Sequence, residues 1–244
     1  MKILVCIANV PDTTAKINFS PDNKEFVTAG VTFILNPYDE IALSKAVDLT
    51  AGGGSVTVIN VGDASTEPTI RKALAIGATD AVRVNAKPRD GYFVARQIAD
   101  YVKKNPFDLI LCGRESSDSN GSSVPVMIAE LLDIPCVLFA KSLSIEGTTA
   151  TLEQEIEGGK EILSAPLPLV AGASEGMADW KIPNMRGIMS ARTKPLQVIE
   201  PLDVPLHTSV QSYDKPVPRS SVKLIAAEDA AKLFEMLREE KKVI

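Results

Sequence analysis

A chain of 244 residues with 45% apolar side chains can build one large α/β domain, or a domain with an appended arm. Its net charge of −5 argues against general nucleic-acid binding, and no apolar run approaches a membrane span. With a single histidine, His207, a His-based metal site or catalytic triad is not expected. Three widely spaced cysteines (Cys6, Cys112, Cys136) read as small buried hydrophobes rather than disulfide or metal ligands.

The opening run is short and stops at Asn9-Val-Pro-Asp. It reads as a first strand, Lys2 to Ala8, rather than a signal peptide, so a soluble cytoplasmic protein is expected. Val27 to Leu35 is rich in strand formers and leads into Asn36-Pro-Tyr-Asp. Asp39 there can cap a helix whose Ile41, Ala42, Ala46 and Val47 share a face. Val56 to Val61 is the next strand, then a helix to about Ile76 stopped by Gly77. Ala81 to Val84 is a short strand, and Phe93, Val94, Ile98, Tyr101 and Val102 mark an amphipathic helix. Such alternation predicts a parallel sheet with right-handed crossovers and helices on both faces.

Asp108 to Leu132 carries the strongest chemical signal. Leu109 to Cys112 reads as a buried strand, Gly113 to Ser123 as a loop of mostly small polar residues, and Val124, Ile128, Leu131 and Leu132 as a helix. Strand, small-residue loop and helix aim backbone N–H groups and a positive helix end at a phosphate. An ordinary polar connection is the competing reading. No Lys follows the second glycine, so this is not a Walker loop. Ligands in parallel sheets sit beyond the carboxyl ends of the strands, which puts the loops at Ala8-Asn9, Asn36–Asp39, Gly62–Ala64 and Gly113–Gly121 on one rim.

After Pro135 the pattern changes. Val137 to Glu146 and Thr149 to Glu157, flanking Gly147, predict an antiparallel excursion, followed by a strand at Glu161 to Ser164 and a core strand at Leu167 to Ala171. Gly172 to about Ser221 is proline-rich and without periodicity. Ala226 to Lys242 is a predicted helix with Leu233, Phe234, Met236 and Leu237 apolar. The expected division is a nucleotide-binding domain over 1–172, a partner-contacting arm over 173–224 and a terminal helix over 225–244.

Four segments in order complete the reading: Asn36-Pro-Tyr-Asp-Glu-Ile-Ala-Leu, Thr69-Ile-Arg-Lys-Ala-Leu-Ala-Ile-Gly-Ala78, Leu111-Cys-Gly-Arg-Glu-Ser-Ser-Asp118 and Ile188-Met-Ser-Ala-Arg-Thr-Lys-Pro-Leu-Gln-Val-Ile199. Together the chain resembles the β subunit of electron transfer flavoprotein along nearly its whole length. The resemblance implies a Rossmann-like fold of the adenine nucleotide alpha hydrolase type. It also implies a heterodimer whose α subunit holds most of the redox FAD, and transfer of electrons from acyl-CoA or other flavin dehydrogenases to a quinone oxidoreductase or another acceptor. It gives the chain no catalytic residue and no metal, but a structural AMP. Electron-bifurcating members hold a second FAD in that pocket, and the Tyr-Asp of the Asn36 motif occurs in many of them.

By position, the nucleotide site would comprise Cys6, Asn36, Pro37, Tyr38, Asp39, Val61, Gly62, Gly113, Ser116, Asp118, Asn120, Gly121, Ser122, Ser123 and Val124. Many relatives carry Asp-x-Asp-Thr-x-Gln-Val in this loop. Here Asn120, Gly121 and Ser123 replace the second Asp, the Thr and the Gln, which puts side-chain contacts in question but leaves backbone contacts possible. Trp180 to Lys194 is similar to the loop that grips dehydrogenases, with Met185 at the family's apolar anchor and Arg186, Ile188, Met189 and Arg192 around it. Met185 is either an exposed finger or a core residue of an irregular loop, and Trp180 is expected to pack. Glu155 matches a family glutamate that contacts the mobile FAD domain of the α subunit. Two rivals from another class remain: a universal-stress-type nucleotide module, and an ATP pyrophosphatase relative. The latter lacks support because no Ser-Gly-Gly loop follows the first strand, and the long segment after Gly172 is excessive for the former.

Overall fold

The computed structural model describes residues 1–218 and 222–244; residues 219–221, within the expected arm, lie outside the described residues. Strand β1 (Lys2–Cys6) has Ile3, Leu4 and Val5 wholly buried, so both its faces are covered. A small antiparallel pair, β2 (Asn9–Pro11) and β3 (Phe33–Leu35), follows outside the main sheet. The β-rich run from Val27 thus forms a strand only over its last three residues.

Helix α1 (Pro37–Leu49) leads to β4 (Ser55–Val61), α2 (Glu67–Ile76), β5 (Asp80–Val84), α3 (Gly91–Lys104), β6 (Leu109–Gly113) and α4 (Ser123–Leu132). Gly77 ends α2 at a φ of +155°, and the Asp90 carboxylate caps α3 by accepting from Phe93 N–H at 2.7 Å. The excursion is β7 (Cys136–Glu146), β8 (Thr149–Ile156) and β9 (Gly159–Pro166), antiparallel as expected, with Gly147 and Gly158 at positive φ in its two turns. Strand β10 (Leu169–Ala173) returns to the core between β6 and β7.

The proline-rich stretch is more regular than its sequence implied. It contains α5 (Met185–Ala191) and β11 (Leu196–Ile199), and β11 pairs parallel with β5 as the outermost strand of the sheet. Periodicity missed both because each is short and largely exposed, so no apolar pattern marks them. The last helix, α6 (Ala230–Glu239), is shorter than expected and buries none of its residues.

The nine-stranded sheet runs β11-β5-β4-β1-β6-β10-β7-β8-β9, parallel from β11 through β7. Ile41, Leu43, Ile70 and Leu74 of α1 and α2 cover one face; Phe93, Ile98 and Ile128 of α3 and α4 cover the other. The chain leaves β1 toward β4 and β5, then crosses back to place β6 on the opposite side of β1. The crevice for a ligand therefore lies between the carboxyl ends of β1 and β6.

Helix α5 is held against α2 by backbone proximity and two cations. The Arg71 guanidinium donates to the carbonyls of Ala191 and Lys194, each at 2.9 Å, and Lys194 Nζ donates to those of Leu74 and Ala78 at 2.8 and 2.6 Å. A Cβ on Gly187 would stand 2.4 Å from the Ala75 carbonyl oxygen. Gly187→Ala should therefore push α5 away, costing about 1–3 kcal/mol. Hydrogen exchange is expected to accelerate across residues 185–199 and not in β1, β4 or β6; uniform protection would show that the contact yields without consequence.

Candidate nucleotide site at the β1–β6 crevice

Asn36 and Asp39 organise the rim. The sequence reading made Asp39 a helix cap, but α1 begins at Pro37 after Asn36, and the Asp39 side chain turns inward instead. One oxygen accepts from Ala8 N–H at 2.8 Å and the other from Gly113 N–H at 2.9 Å. These are backbone groups just beyond β1 and at the end of β6, so a single buried carboxylate spans the crevice. Gly113 must lack a side chain here, because a Cβ would meet the nearer Asp39 oxygen at 2.4 Å and Tyr38 Cβ at 2.7 Å. Asn36 Nδ2 donates to the Glu115 carbonyl at 2.9 Å, and its oxygen accepts from Ser117 N–H at 3.2 Å. The N-terminus of α1 thus pins the start of the small-residue loop.

The loop then doubles back. Ser116 and Gly121 form an isolated antiparallel bridge, Asn120 adopts a φ of +49°, and the Ser116 hydroxyl donates to Asp118. It delivers Ser122 to the start of α4, where no side chain caps the helix and no acidic residue occupies the first turn. The Ser123 and Val124 N–H groups are among the first-turn donors that an α-helix leaves without intrahelical partners. By contrast α1 begins with Asp39 and Glu40, and α3 is capped by Asp90. A phosphate suits α4: its dipole is uncompensated and Gly121, Ser122 and Ser123 leave the backbone accessible.

Cys6 ends β1 and Val61 ends β4, with Gly62 just beyond it, so these sequence-derived residues lie on the same carboxyl-end edge of the sheet as the loop after β6. Cys112 has its thiol pushed well above the ordinary range, first by the hydrogen bond with Cys6 and then by burial; burial pushes Cys136 up to about 11. Neither is a thiolate nucleophile at neutral pH.

Three supporting residues escaped the sequence reading. Asn60 Nδ2 donates to the Ile7 carbonyl at 2.8 Å, tying β4 to the end of β1. Arg83, buried on β5, donates to the Gly62 carbonyl at 3.0 Å and to Asn85 at 2.8 Å. A lone polar residue near the carboxyl end of an apolar strand is the signal that both offered. Arg114 is the third. Its guanidinium carbon lies 5.5 Å from the Tyr38 ring centre and 5.0 Å from that of Phe139. Phe139 has a φ of +51°, an uncommon and strained state for an aromatic residue that costs roughly 1–3 kcal/mol.

The residues expected to serve partner recognition lie elsewhere. Asn184 caps α5 by accepting from Gly187 N–H at 2.8 Å, and Met185 and Met189, four apart, are 73% and 67% exposed with Ile188 between them. Met185 is therefore a surface finger and not a core residue. Arg186 and Arg192 are exposed on and beside the same helix. Trp180, expected to pack, is 63% exposed. Glu155 is exposed on β8 and pairs with Lys141 at 3.0 Å.

A largely parallel sheet with a switch-point crevice and a small-residue loop feeding an uncapped helix defines a Rossmann-like α/β protein. Residues 24–204 match the family described as the electron transfer flavoprotein domain. The whole chain is 34% identical to the whole electron transfer flavoprotein subunit beta of Bacillus subtilis. The Homo sapiens subunit beta is also 34% identical, over 98% of each chain, and that of Thermoanaerobacterium thermosaccharolyticum is 34% identical over 80% of this chain and 76% of its own. The chain belongs to the electron transfer flavoprotein β-subunit family, which serves electron transfer. No helix among the described residues is long and apolar enough to cross a membrane.

Burial raises the Asp39 pKa to about 7 from 3.8, against the two backbone donors that favour its anion. A carboxyl whose pKa rises on folding holds more protons folded than unfolded between those values. Its contribution is fullest below the lower value and declines by up to about 1.4 kcal/mol per pH unit until the upper one. In urea unfolding, the stability of the wild type relative to Asp39→Asn should fall from pH 4.5 to pH 7 and then level. A difference independent of pH would mean that Asp39 titrates as an ordinary carboxylate.

Proposed function

We propose that this chain is the β subunit of a heterodimeric electron carrier, and that it holds an adenine nucleotide at the β1–β6 rim. The observation that carries this is the uncapped N-terminus of α4, presented by a small-residue loop that Asn36 pins in place. Backbone N–H groups of Ser123 and Val124, with Ser116, Asn120, Gly121 and Ser122, would receive the phosphate. Cys6, Pro37, Tyr38, Val61 and Gly62 would border the rest of the nucleotide, and Asp118 would stand at the outer edge. Asp39 takes a supporting role, because both its oxygens already accept backbone hydrogen bonds. AMP is the nucleotide proposed. A second FAD, the electron-bifurcating reading, would use the same phosphate cradle, but the Tyr38-Asp39 pair that hinted at it gains no support, since Asp39 faces inward.

The redox FAD of the complex, which supplies the electron chemistry when bound, belongs mainly to the α subunit in this reading. This chain's part is to anchor and orient. The exposed arm over 205–218 and helix α6 present Leu206, Val210, Val217, Leu233 and Phe234 to solvent, a surface fit to lie against the α subunit. Met185, Ile188 and Met189, with Arg186 and Arg192 beside them, form an adaptable apolar finger for acyl-CoA or other flavin dehydrogenases. Glu155 would contact the moving flavin domain of the partner. The assembly is placed in the cytoplasm, with no nucleic-acid ligand.

Co-expression with the α subunit, purification and denaturation should release AMP equimolar with this chain. Recovery of two FAD per heterodimer would replace AMP with the bifurcating cofactor, and an empty rim would count against the site. In dehydrogenase-coupled dye reduction, Met185→Ala should raise the apparent KM for the heterodimer roughly 30-fold, the equivalent of about 2 kcal/mol for a central apolar anchor. Its nucleotide content should stay unchanged. An unaltered KM would show that the finger does not dock.

A further inference from the structure

Two sets of contacts hold the first turn of α1 to the start of the loop after β6. One is polar: the Asn36 and Asp39 bonds to Gly113, Glu115 and Ser117. The other is a stack, in which the Arg114 guanidinium lies over the rings of Tyr38 on α1 and Phe139 on β7. Polar bonds hold the Arg114 side chain only loosely, since Ser174 Oγ is 3.4 Å from Nη1 and the Glu115 carboxylate 3.9 Å from Nε. The rings set its place.

Phe139 reaches Arg114 from across β10, which separates β6 from β7. The register shifts at this point. Val137 faces Ala171 and Ala140 faces Ala173, so Leu138 and Phe139 stand where β10 has only Gly172. A Cβ on Gly172 would already be 3.1 Å from the Leu138 side chain. The bulge puts Phe139 at a φ of +51°, where a bulky residue persists only if its surroundings over-determine it. The ladder does not ask for phenylalanine: Ser174 N–H donates to the Ala140 carbonyl one residue on, and glycine would occupy the bulge without strain. What glycine lacks is the ring, and the ring's polar contact is Arg114.

We infer that Phe139 is a positioning residue for the rim: through Arg114 and Tyr38 its ring braces the first turn of α1 against the start of the small-residue loop. Its bearing on a ligand rests on the nucleotide reading above; the brace itself does not. Asn36 and Asp39 fix this seam by hydrogen bonds from α1, one of them, to Ser117 N–H, as long as 3.2 Å. The stack closes it from the side of β7, the strand that also carries β8 and β9. A cation between two rings keeps its N–H edge free for water while its faces are held, so the brace adds stiffness without burying a charge.

The test uses the full chain with Phe139→Gly, Phe139→Leu, Phe139→Tyr and Arg114→Gln. Hydrogen exchange reads the Gly113 and Ser117 amides, and equilibrium dialysis reads AMP. Phe139→Gly relieves the backbone and removes the ring. It should speed exchange at both amides and weaken AMP, each roughly three- to tenfold, the scale of one partly exposed cation–π contact. Exchange in β4 and β5 should stay as in wild type. Arg114→Gln should match Phe139→Gly, and Phe139→Tyr, which keeps the ring, should behave as wild type. Phe139→Leu fills the space without an aromatic face and should rescue neither reading. Wild-type exchange at Gly113 and Ser117 in Phe139→Gly would refute the positioning role, and full rescue by leucine would reduce the ring to filling and overturn the stack. If Phe139→Gly does not fold, Arg114→Gln, which leaves the bulge intact, decides by the same two amides. Faster exchange in the variants of a chain whose wild type binds no AMP would uphold the brace and overturn the nucleotide reading instead.

Discussion

One carboxylate holds the crevice together. A sheet whose strand order reverses at β1 has two strand ends, β1 and β6, that no crossover joins directly. Asp39 joins them by accepting from the first free N–H beyond one and the last N–H of the other. Because it rides on the first turn of α1, the helix is locked to both strands at once, and Asn36 extends that lock to the loop after β6. Gly113 has to be glycine for the carboxylate to reach, and the α4 N-terminus takes its place relative to a loop so anchored. A buried carboxylate is costly in a protein interior even when backbone N–H groups donate to both its oxygens. Its retention at the site marks how much of the rim's geometry is set from this point.

Much of the parallel sheet was legible because periodicity and punctuation agree. Leu109 to Cys112 is a fully buried run, Phe93 to Val102 shows helical spacing, and Gly77, Gly147 and Gly158 stop or turn the chain where the structure needs positive φ. The rim was legible for the same reason, since strand ends in a parallel sheet share an edge. Side-chain roles were not. Nothing local distinguishes an Asp at the third position of a helix that caps from one that turns inward to accept from two backbone donors far apart in the chain. Only the fold brings Ala8 and Gly113 to it. Helix α5 and strand β11 were invisible because they rely on Arg71, Lys194 and the close approach at Gly187, contacts between residues far apart in the chain. Arg114 looked like one more polar loop residue, since the two rings that clamp it come from α1 and a bulge in β7.

The molecule separates tasks by stiffness. The rim loops rise from the rigid parallel strands, whereas Met185 and its neighbours sit on a two-turn helix fastened to α2 by one tight contact and two cations. Rigid support suits a ligand that stays, and a small helix edged with thioethers suits surfaces that change from one encounter to the next.

Helix α6 leaves Leu233 and Phe234 in water, at the end of a segment that makes few contacts with the body. A helix of this kind, with nothing lying over it, is expected to draw the proteases and chaperones that survey exposed apolar segments. The amount of this chain in a cell would then follow the amount of whatever covers α6. Surplus copies would be removed without any dedicated regulator, and matched stoichiometry would be written into ten residues of surface.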